Sequence, residues 1–283
     1  MKKLLILAAM LGGALCGFAR NEAEPEPLRP VLSAYTARIG SQHTADTYIS
    51  PIRYAGVGFG FGYERMQAMK FNPERWVMDL RLDASGAHTT NPAGNGTIWQ
   101  AGLSAGWGMM HRWQMPQGFT LYLGGTTDLD LGMLYNVRNS NNPVAAKASW
   151  TVGVMGAAAW NGRIGRLPVC LRYQATMPLT GIFFSPDYGE LYYEIYLGNR
   201  SGLVHGAWPG NFFRLDNLLT ADLRFGATIV RLGYRLDYNS SKACDIVSRG
   251  ISHSFVVGFA SEWISLSASR THDPDARIIS SLY

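Results

Sequence analysis

The segment from 178 to 196 concentrates side chains that suit binding of a ligand. It carries hydroxyl, carboxylate and phenol groups close together, namely Ser185, Asp187, Tyr188, Glu190, Tyr192 and Glu194. Tyrosine joins an apolar ring to a polar hydroxyl, which suits recognition of a sugar, a lipid headgroup or a peptide. Pro178, Pro186 and Gly189 favour turns that would make the segment a compact loop. These six residues are the candidate ligand-binding site, and the alternative is that the segment is a structural plug.

Two local motifs resemble parts of hydrolase active sites. The run 102–106 has the G-x-S-x-G spacing of serine hydrolases, but that motif needs a sharp strand-to-helix turn, and here the alternation continues through Trp107 and Met109. Barrel lipid hydrolases have a His-x-Ser arrangement that puts both side chains on one strand face, and none of the six histidines has Ser two residues later. His253 directly precedes Ser254, so their side chains face opposite ways, and His253 is expected in an interfacial girdle. No catalytic residue is predicted.

The run from Val57 to Tyr63 reads Val-Gly-Phe-Gly-Phe-Gly-Tyr. Successive residues of a strand face opposite sides, so one face here is apolar and the other has no side chains. This pattern suits a barrel wall with lipid outside and a crowded lumen inside. Trp150 and Trp160 share a face and are separated by about 33 Å along a strand, close, once tilted, to the ~25 Å apolar band of outer-membrane barrels. The sequence therefore predicts an all-β fold, a transmembrane antiparallel up-and-down β-barrel.

The turn-rich stretches divide this barrel into eleven predicted strands, at 31–39, 53–67, 75–87, 97–113, 118–135, 145–161, 167–177, 190–198, 212–225, 228–240 and 248–266. Barrels of this class have long outer loops and short periplasmic turns. The longer connections are expected at 40–52, 87–96, 136–144 and 178–190. The tight turn at Gly226-Ala227 conflicts with an odd count. A hidden strand near 202–207 would give about twelve strands, the favoured number, whereas assigning 190–198 to one large outer loop would give ten.

The less apolar face of each strand is expected to line the lumen. It carries both signs of charge, in Glu64, Asp79, Arg81, Asp83, Asp128, Asp130, Arg172, Glu194, Asp222, Arg224, Arg231, Arg235 and Asp237. A selective pore favours one sign, whereas mixed charges in a narrow barrel satisfy one another and fill the lumen. We therefore expect a plugged lumen in which Arg81 and Arg172 are held by carboxylates such as Asp79, Asp83 or Glu194.

The ends of the chain predict export. Residues 1–19 have a basic start, an apolar run and small residues, as in a secretory signal peptide. Residues 20–30 predict a periplasmic lead-in, 31–266 the barrel, and 267–283 a C-terminal extension that is a candidate for the last strand. After the signal, no run approaches the ~20 apolar residues of a spanning helix. The mean hydropathy of −0.03 suits strands that are half lipid-facing.

The composition argues against several partners and cofactors. The formal net charge of +5 is small and scattered, which does not indicate nucleic acid binding. No His/Cys cluster has the spacing of a metal site, no cofactor is predicted, and nothing brings Cys170 and Cys244 together. The expected partner is outer-membrane lipid, with a lipid, glycan or peptide ligand at the outer loops. The protein is expected to be a monomer in the outer membrane of a Gram-negative bacterium.

Five segments in the same order carry a family resemblance, namely 46–51, 91–97, 139–143, 183–195 and 252–259. They resemble an uncharacterised Bacteroidetes family, the domain of unknown function 3316. The resemblance runs from about residue 32 to 266 and implies an exported, barrel-like protein with no assigned activity or catalytic residues. Members end near Ser265-Leu266, whereas 17 further residues follow here.

The predicted function is therefore ligand binding or a structural role through the outer loops of a plugged barrel, more consistent with a non-enzyme than an enzyme. One alternative is an outer-membrane lipid hydrolase of the phospholipase or lipid A deacylase type, with a triad drawn from different loops. The other is a small passive channel.

Overall fold

A computed structural model describes residues 27–140, 143–187, 191–199, 201–226, 228–264 and 277–283. The described residues form eleven strands, β1 (Val31–Asp46), β2 (Ser50–Ala68), β3 (Trp76–Thr90), β4 (Thr97–Gln114), β5 (Phe119–Asn136), β6 (Val144–Ile164), β7 (Leu167–Phe184), β8 (Val204–Ala207), β9 (Phe212–Phe225), β10 (Thr228–Ala243) and β11 (Ile246–Trp263). A short helix, α1 (Tyr192–Tyr196), and a 3-10 turn, Pro116–Gly118, complete them. None of the described helices is long and apolar enough to cross a bilayer. The predicted signal peptide, 1–19, lies outside these residues.

Ten of the strands form a closed antiparallel ring. Their order is β1 to β7, then β9, β10 and β11, and β11 closes the ring by pairing with β1 from Val31 opposite Trp263 onward. β8 pairs only with the end of β7 and stands outside the ring. The predicted all-β antiparallel barrel is thus confirmed, with one extra strand.

The strand count corrects the sequence prediction in one region. The favoured number of twelve is wrong, because the predicted strand at 190–198 contains α1 and belongs to the long connection between β7 and β9. A short strand does occur near 202–207, as β8, but its four residues are too few to extend along the barrel. The ten-strand alternative describes the ring.

Glycines on the inward face make room for the side chains of the lumen. A Cβ atom added to Gly60 would lie 2.6 Å from the guanidinium carbon of Arg38, and one added to Gly62 would lie 2.7 Å from the hydroxyl of Thr36. Val57, Phe59 and Phe61, which alternate with these glycines, are exposed on the outward face. The alternation therefore marks a crowded lumen, as predicted.

The two ends of the ring differ. At the end where residues 27–30 and 277–283 lie, here called the terminal end, the strands are joined by 69–75, 115–118, 165–166 and 226–227. At the opposite end, called the loop end, the connections are 47–49, 91–96, 137–143, 185–211 and 244–245. The long loop expected at 40–52 is only a turn, because β1 and β2 continue to pair as far as Asp46 and Ser50.

The outward face is apolar over the middle of the ring. Exposed large side chains there include Phe61, Leu103, Leu131, Val257 and Phe259. Tryptophans lie towards both ends of the strands, and Trp150 and Trp160 share the outward face of β6 as expected. The barrel therefore has an apolar belt outside and its polar groups inside.

The C-terminal residues enter the lumen at the terminal end. The carbonyls of Ser280, Ser281 and Leu282 accept hydrogen bonds from inward-facing Arg112, Tyr122 and Asn161 at 2.6, 3.0 and 2.8 Å. Leu282 joins a buried apolar cluster that includes Leu32, Met66, Val77, Met110 and Met155. The described part of the extension, 277–283, is therefore a plug, and β11 is the last strand of the part of the chain that the structure describes.

Candidate functional site

The lumen is crossed by a layer of ion pairs that we call the inner charge layer, made of Glu64, Arg172, Arg231 and Asp222. Arg172 Nη2 donates to both carboxylate oxygens of Glu64, at 2.8 and 2.7 Å. Arg231 donates to Glu64 as well and to both oxygens of Asp222, at 2.7 and 2.8 Å. These residues lie on β2, β7, β9 and β10, so the layer ties opposite walls together. All four are buried.

A second layer lies nearer the loop end and is called the outer charge layer. Arg235 is its centre and donates to Asp216 at 3.1 and 2.7 Å and to Asp237 at 3.1 Å. Asp83 accepts from Arg235 at 3.2 Å and also pairs with Arg38. The remaining members are Arg81, Asp128, Arg214 and Asp130.

The predicted partners of the lumen arginines are correct in kind and partly wrong in detail. Arg81 pairs with Asp128 at 3.0 Å and lies 3.6 Å from Asp79. Arg172 pairs with Glu64 rather than with any of the three predicted carboxylates. Glu194, which was expected to face the lumen, is exposed on α1.

The predicted ligand-binding segment is divided between three structures. Residues up to Phe184 continue β7, Tyr192 and Glu194 belong to α1, and Tyr188 and Glu190 lie outside the described residues. Ser185 is buried, its N–H donates to Leu203 O at 3.0 Å, and its carbonyl accepts from the ring of His205 at 3.0 Å. Asp187 is exposed. Ser185 therefore attaches the connection to β8.

Tyr192 and Glu194 have different surroundings. The Tyr192 hydroxyl accepts a hydrogen bond from the Ala146 N–H at 2.6 Å, and its ring meets Tyr48 edge-on at 5.8 Å. Burial raises the pKa of Tyr192 above its usual value, so the hydroxyl stays protonated. The Glu194 carboxylate accepts from the Leu191 N–H at 3.1 Å at the start of α1. These contacts fold α1 over the rim of the barrel.

Replacing Tyr192 with phenylalanine is expected to loosen α1 from β6, because the acceptor for the Ala146 N–H is lost. A bond of this kind contributes about 1 kcal/mol, so added protease should cleave the connection about fivefold faster in the folded protein. Tyr193→Phe is the matched control and should leave the rate unchanged, since its side chain is 66% exposed. Equal cleavage rates in both variants would mean that the Tyr192 contact does not hold the connection.

A cavity of about 310 Å³ lies between the outer charge layer and the loop end, and we call it the loop-end cavity. Arg38, Asp83, Arg214, Arg235 and Asp237 bound it towards the middle of the barrel. Its walls are formed mainly by neutral polar side chains, inward glycines and the rings of Phe183 and Phe212, and they include Lys147 and Arg249. This cavity is not among the sites predicted from the sequence. The signal that marks it is the change, along the inward positions, from charged residues to Ser, Gln and Gly.

The groups with hydrolase potential do not form a nucleophile and base. Ser104 lies in the middle of β4 and faces the lumen, and His253 faces outward with its Nδ1 2.6 Å from the hydroxyl of Tyr234. Cys244 Sγ is 3.9 Å from His205 Nε2, but that nitrogen donates to the Ser185 carbonyl and so has no lone pair for the thiol. Cys170 and Cys244 form no disulfide with each other, and Cys170 is buried. Among the described residues, no group of three or more His, Cys, Asp or Glu is placed to hold a metal ion.

The fold and the lumen define a closed antiparallel barrel whose interior is occupied by its own ion pairs and C-terminal residues. The chain belongs to the family described as "Protein of unknown function (DUF3316)", whose sequence profile matches residues 3–270. The resemblance to this family is thereby confirmed, and its assignment to Bacteroidetes stays a prediction. No curated protein matches the chain.

Several solved structures are similar to this chain. The β domain of the Bordetella autotransporter BrkA is 14% identical, with 82% of this chain and 99% of that chain covered and a TM-score of 0.38. The translocator domain of the autotransporter NalP from Neisseria meningitidis is 12% identical, with 93% and 98% covered and a TM-score of 0.35. An outer membrane channel from Pseudomonas putida F1 is 8% identical, with 87% and 100% covered and a TM-score of 0.37. Likenesses this loose assign no activity to the chain.

Proposed function

We propose that the protein is an integral outer-membrane barrel, closed to the passage of solutes, that binds a ligand at its loop end. The observation that carries this proposal is the inner charge layer, where Glu64, Arg172, Arg231 and Asp222 join opposite walls of the lumen. A water-filled channel needs a continuous polar path, and here the charges satisfy one another at close range. The closed lumen leaves the loop end as the surface for function.

The outward face supports insertion in a membrane. Exposed side chains such as Phe59, Leu123, Phe255 and Phe259 would form a large apolar surface in water, which soluble monomers rarely carry. Tryptophans towards both ends of the strands suit the interfaces of a bilayer. The terminal end then faces the periplasm and the loop end faces outward, because long loops of outer-membrane barrels are extracellular.

The ligand-binding role also draws on the connection from 185 to 211, which includes the predicted residues Ser185, Asp187, Tyr192 and Glu194. Loops on a rigid scaffold are where binding residues concentrate. Tyr193, Tyr196 and Trp208 are exposed on this connection and offer rings for contact. The lipid hydrolase alternative is less well supported. Where a thiol meets an imidazole among the described residues, at Cys244 and His205, the ring nitrogen donates to the Ser185 carbonyl and cannot accept the thiol proton.

We expect the protein to fractionate with the outer membrane, to migrate differently in unboiled and boiled samples, and to give no conductance steps in a planar bilayer. The gel shift follows from a closed barrel, which has no free edge from which to unfold. Recovery in the soluble periplasmic fraction would contradict insertion. Stable steps on the nanosiemens scale would contradict the closed lumen and favour the channel.

A further inference from the structure

The loop-end cavity has the size of a small-ligand site. Its volume of about 310 Å³ lies at the lower end of the range of such pockets. It extends to Ser241 and Ser248, which pair beside the turn at 244–245 on the rim of the barrel. The cavity is therefore placed where a solute from the loop end would enter.

The charged groups that bound the cavity inside the barrel already have partners, and the other lining cation, Arg249, is exposed at the rim. Lys147 pairs with Asp46 at 2.6 Å on one wall, and Arg235 pairs with Asp216 at 2.7 Å. Arg214 is likewise paired, with an aspartate on β5. A charged ligand would have to compete with these ion pairs, and a partner displaced inside the lumen is costly. The charge pattern favours a neutral ligand.

The remaining walls offer hydrogen bonds without charge. They are lined by the amides and hydroxyls of Gln42, Gln100, Ser85, Ser104, Ser252 and Ser254. Each hydroxyl can both donate and accept, and each amide has a donor and an acceptor. Such a wall matches a ligand that carries many hydroxyl groups.

Two aromatic rings complete the lining. Phe183 and Phe212 face the cavity with ring centroids 5.2 Å apart, and they provide an apolar surface beside the polar walls. A sugar ring presents hydroxyls around its edge and C–H groups on its faces, which suits both surfaces. We propose that the loop-end cavity binds a neutral saccharide of one or two rings. This inference rests on the proposed function and names its ligand class.

Gly58 provides a variant that fills the cavity without disturbing the barrel. It lines the cavity, and an added Cβ would lie 3.4 Å from Gln42 Cβ, which is an ordinary contact. Gly156 is the matched control, because it lies on the outward parity of β6 and its added Cβ would also make only ordinary contacts, at 3.6 Å from Tyr122 O. The two variants are Gly58→Met and Gly156→Met.

The test is saturation-transfer NMR on purified, heat-modifiable protein in detergent, with maltose, lactose, sucrose and trehalose as neutral probes. Gluconate and glucosamine are the charged probes, and glucose is the neutral probe of their size. We expect transfer to at least one neutral disaccharide. Its affinity should fall about tenfold or more in Gly58→Met and stay unchanged in Gly156→Met. A tenfold loss corresponds to about 1.4 kcal/mol, the size of one favourable contact of moderate strength. Gln100→Leu is a second cavity variant and should weaken the same signal.

The source of the saccharide is tested in the same samples. Polysaccharide released from lipopolysaccharide by mild acid should displace the disaccharide if the natural ligand is a surface glycan, and should not if it is a free sugar. Either result is consistent with the inference. Transfer only to charged probes, transfer that survives both cavity variants, or no transfer to any neutral sugar would overturn it. A protein that meets the membrane and conductance expectations yet binds no sugar would refute this inference alone.

Discussion

Replacing Arg231 with methionine is expected to lower the free energy of unfolding by about 3 to 5 kcal/mol, the usual cost of removing one partner from a buried ion pair. Arg231 is 1% exposed and holds Asp222 through two hydrogen bonds and Glu64 through a third. Without it, the hydroxyl of Tyr283, at 2.8 Å, is the remaining side-chain partner of Asp222 among the described residues. The measurement is urea unfolding of the refolded protein in lipid vesicles, followed by tryptophan fluorescence and by the unboiled gel shift.

Arg277→Met is the matched control for that experiment. Arg277 forms an ion pair with Glu74 at 2.6 Å, but the two side chains are 73% and 55% exposed. Exposed pairs contribute about 0 to 1 kcal/mol, so this variant should unfold almost as the native protein does. If Arg231→Met were no more destabilising than Arg277→Met, the inner charge layer would have to be solvated and the closed lumen would be disproved.

The strands were predictable because their alternation is strict. Glycine between large apolar residues, as in 57–63, fixes both the strand and the face that looks inward, and this holds around the ring. The strand predicted at 190–198 is wrong, because the tyrosines and isoleucine of Tyr192–Tyr196 favour strands by propensity. There it is a five-residue helix fixed to the rim by the Tyr192 hydroxyl, a tertiary contact that alternation does not reveal.

The pairing of lumen charges could be predicted only in part. The inward face of each strand follows from the sequence, so the presence of Glu64 and Arg172 in the lumen was expected. Their contact joins residues 108 positions apart on β2 and β7, and it depends on the tilt and stagger of the closed barrel, which alternation leaves open. Asp216 lies on the same face of β9 as Asp222, so the alternation alone would have placed it in the lumen.

The C-terminal plug was hidden for a different reason. Residues 277–283 have no alternation to assign, and a final aromatic residue is common to barrels that end in a strand. The structure instead uses Tyr283 as a lumen side chain, with Arg224 4.4 Å from its ring centroid and Asp222 as acceptor of its hydroxyl. Burial raises the pKa of Tyr283 far above its usual range, so the phenol remains a donor.

Replacing Leu282 with alanine is expected to cost about 2 to 4 kcal/mol, because its side chain is 2% exposed within the apolar cluster at the terminal end and its removal leaves a cavity. Ile278→Ala, in the same C-terminal segment, is the control. Ile278 is 60% exposed, so this variant should change the free energy of unfolding by no more than about 0.5 kcal/mol. Both are measured by urea unfolding in vesicles, as for Arg231.

Deletion of residues 277–283 separates the role of the plug in stability from its role in closing the lumen. The deletion removes the Ser280, Ser281 and Leu282 carbonyls, so the Tyr122 hydroxyl loses its acceptor and one of the hydrogen bonds of Arg112 is lost. Unfolding should then occur at lower urea, yet the bilayer should still show no conductance, because the inner charge layer remains. Conductance in the deletion variant would mean that the plug, and not the inner charge layer, closes the lumen. If Leu282→Ala and Ile278→Ala were equally stable, the C-terminal residues would have to lie outside the lumen.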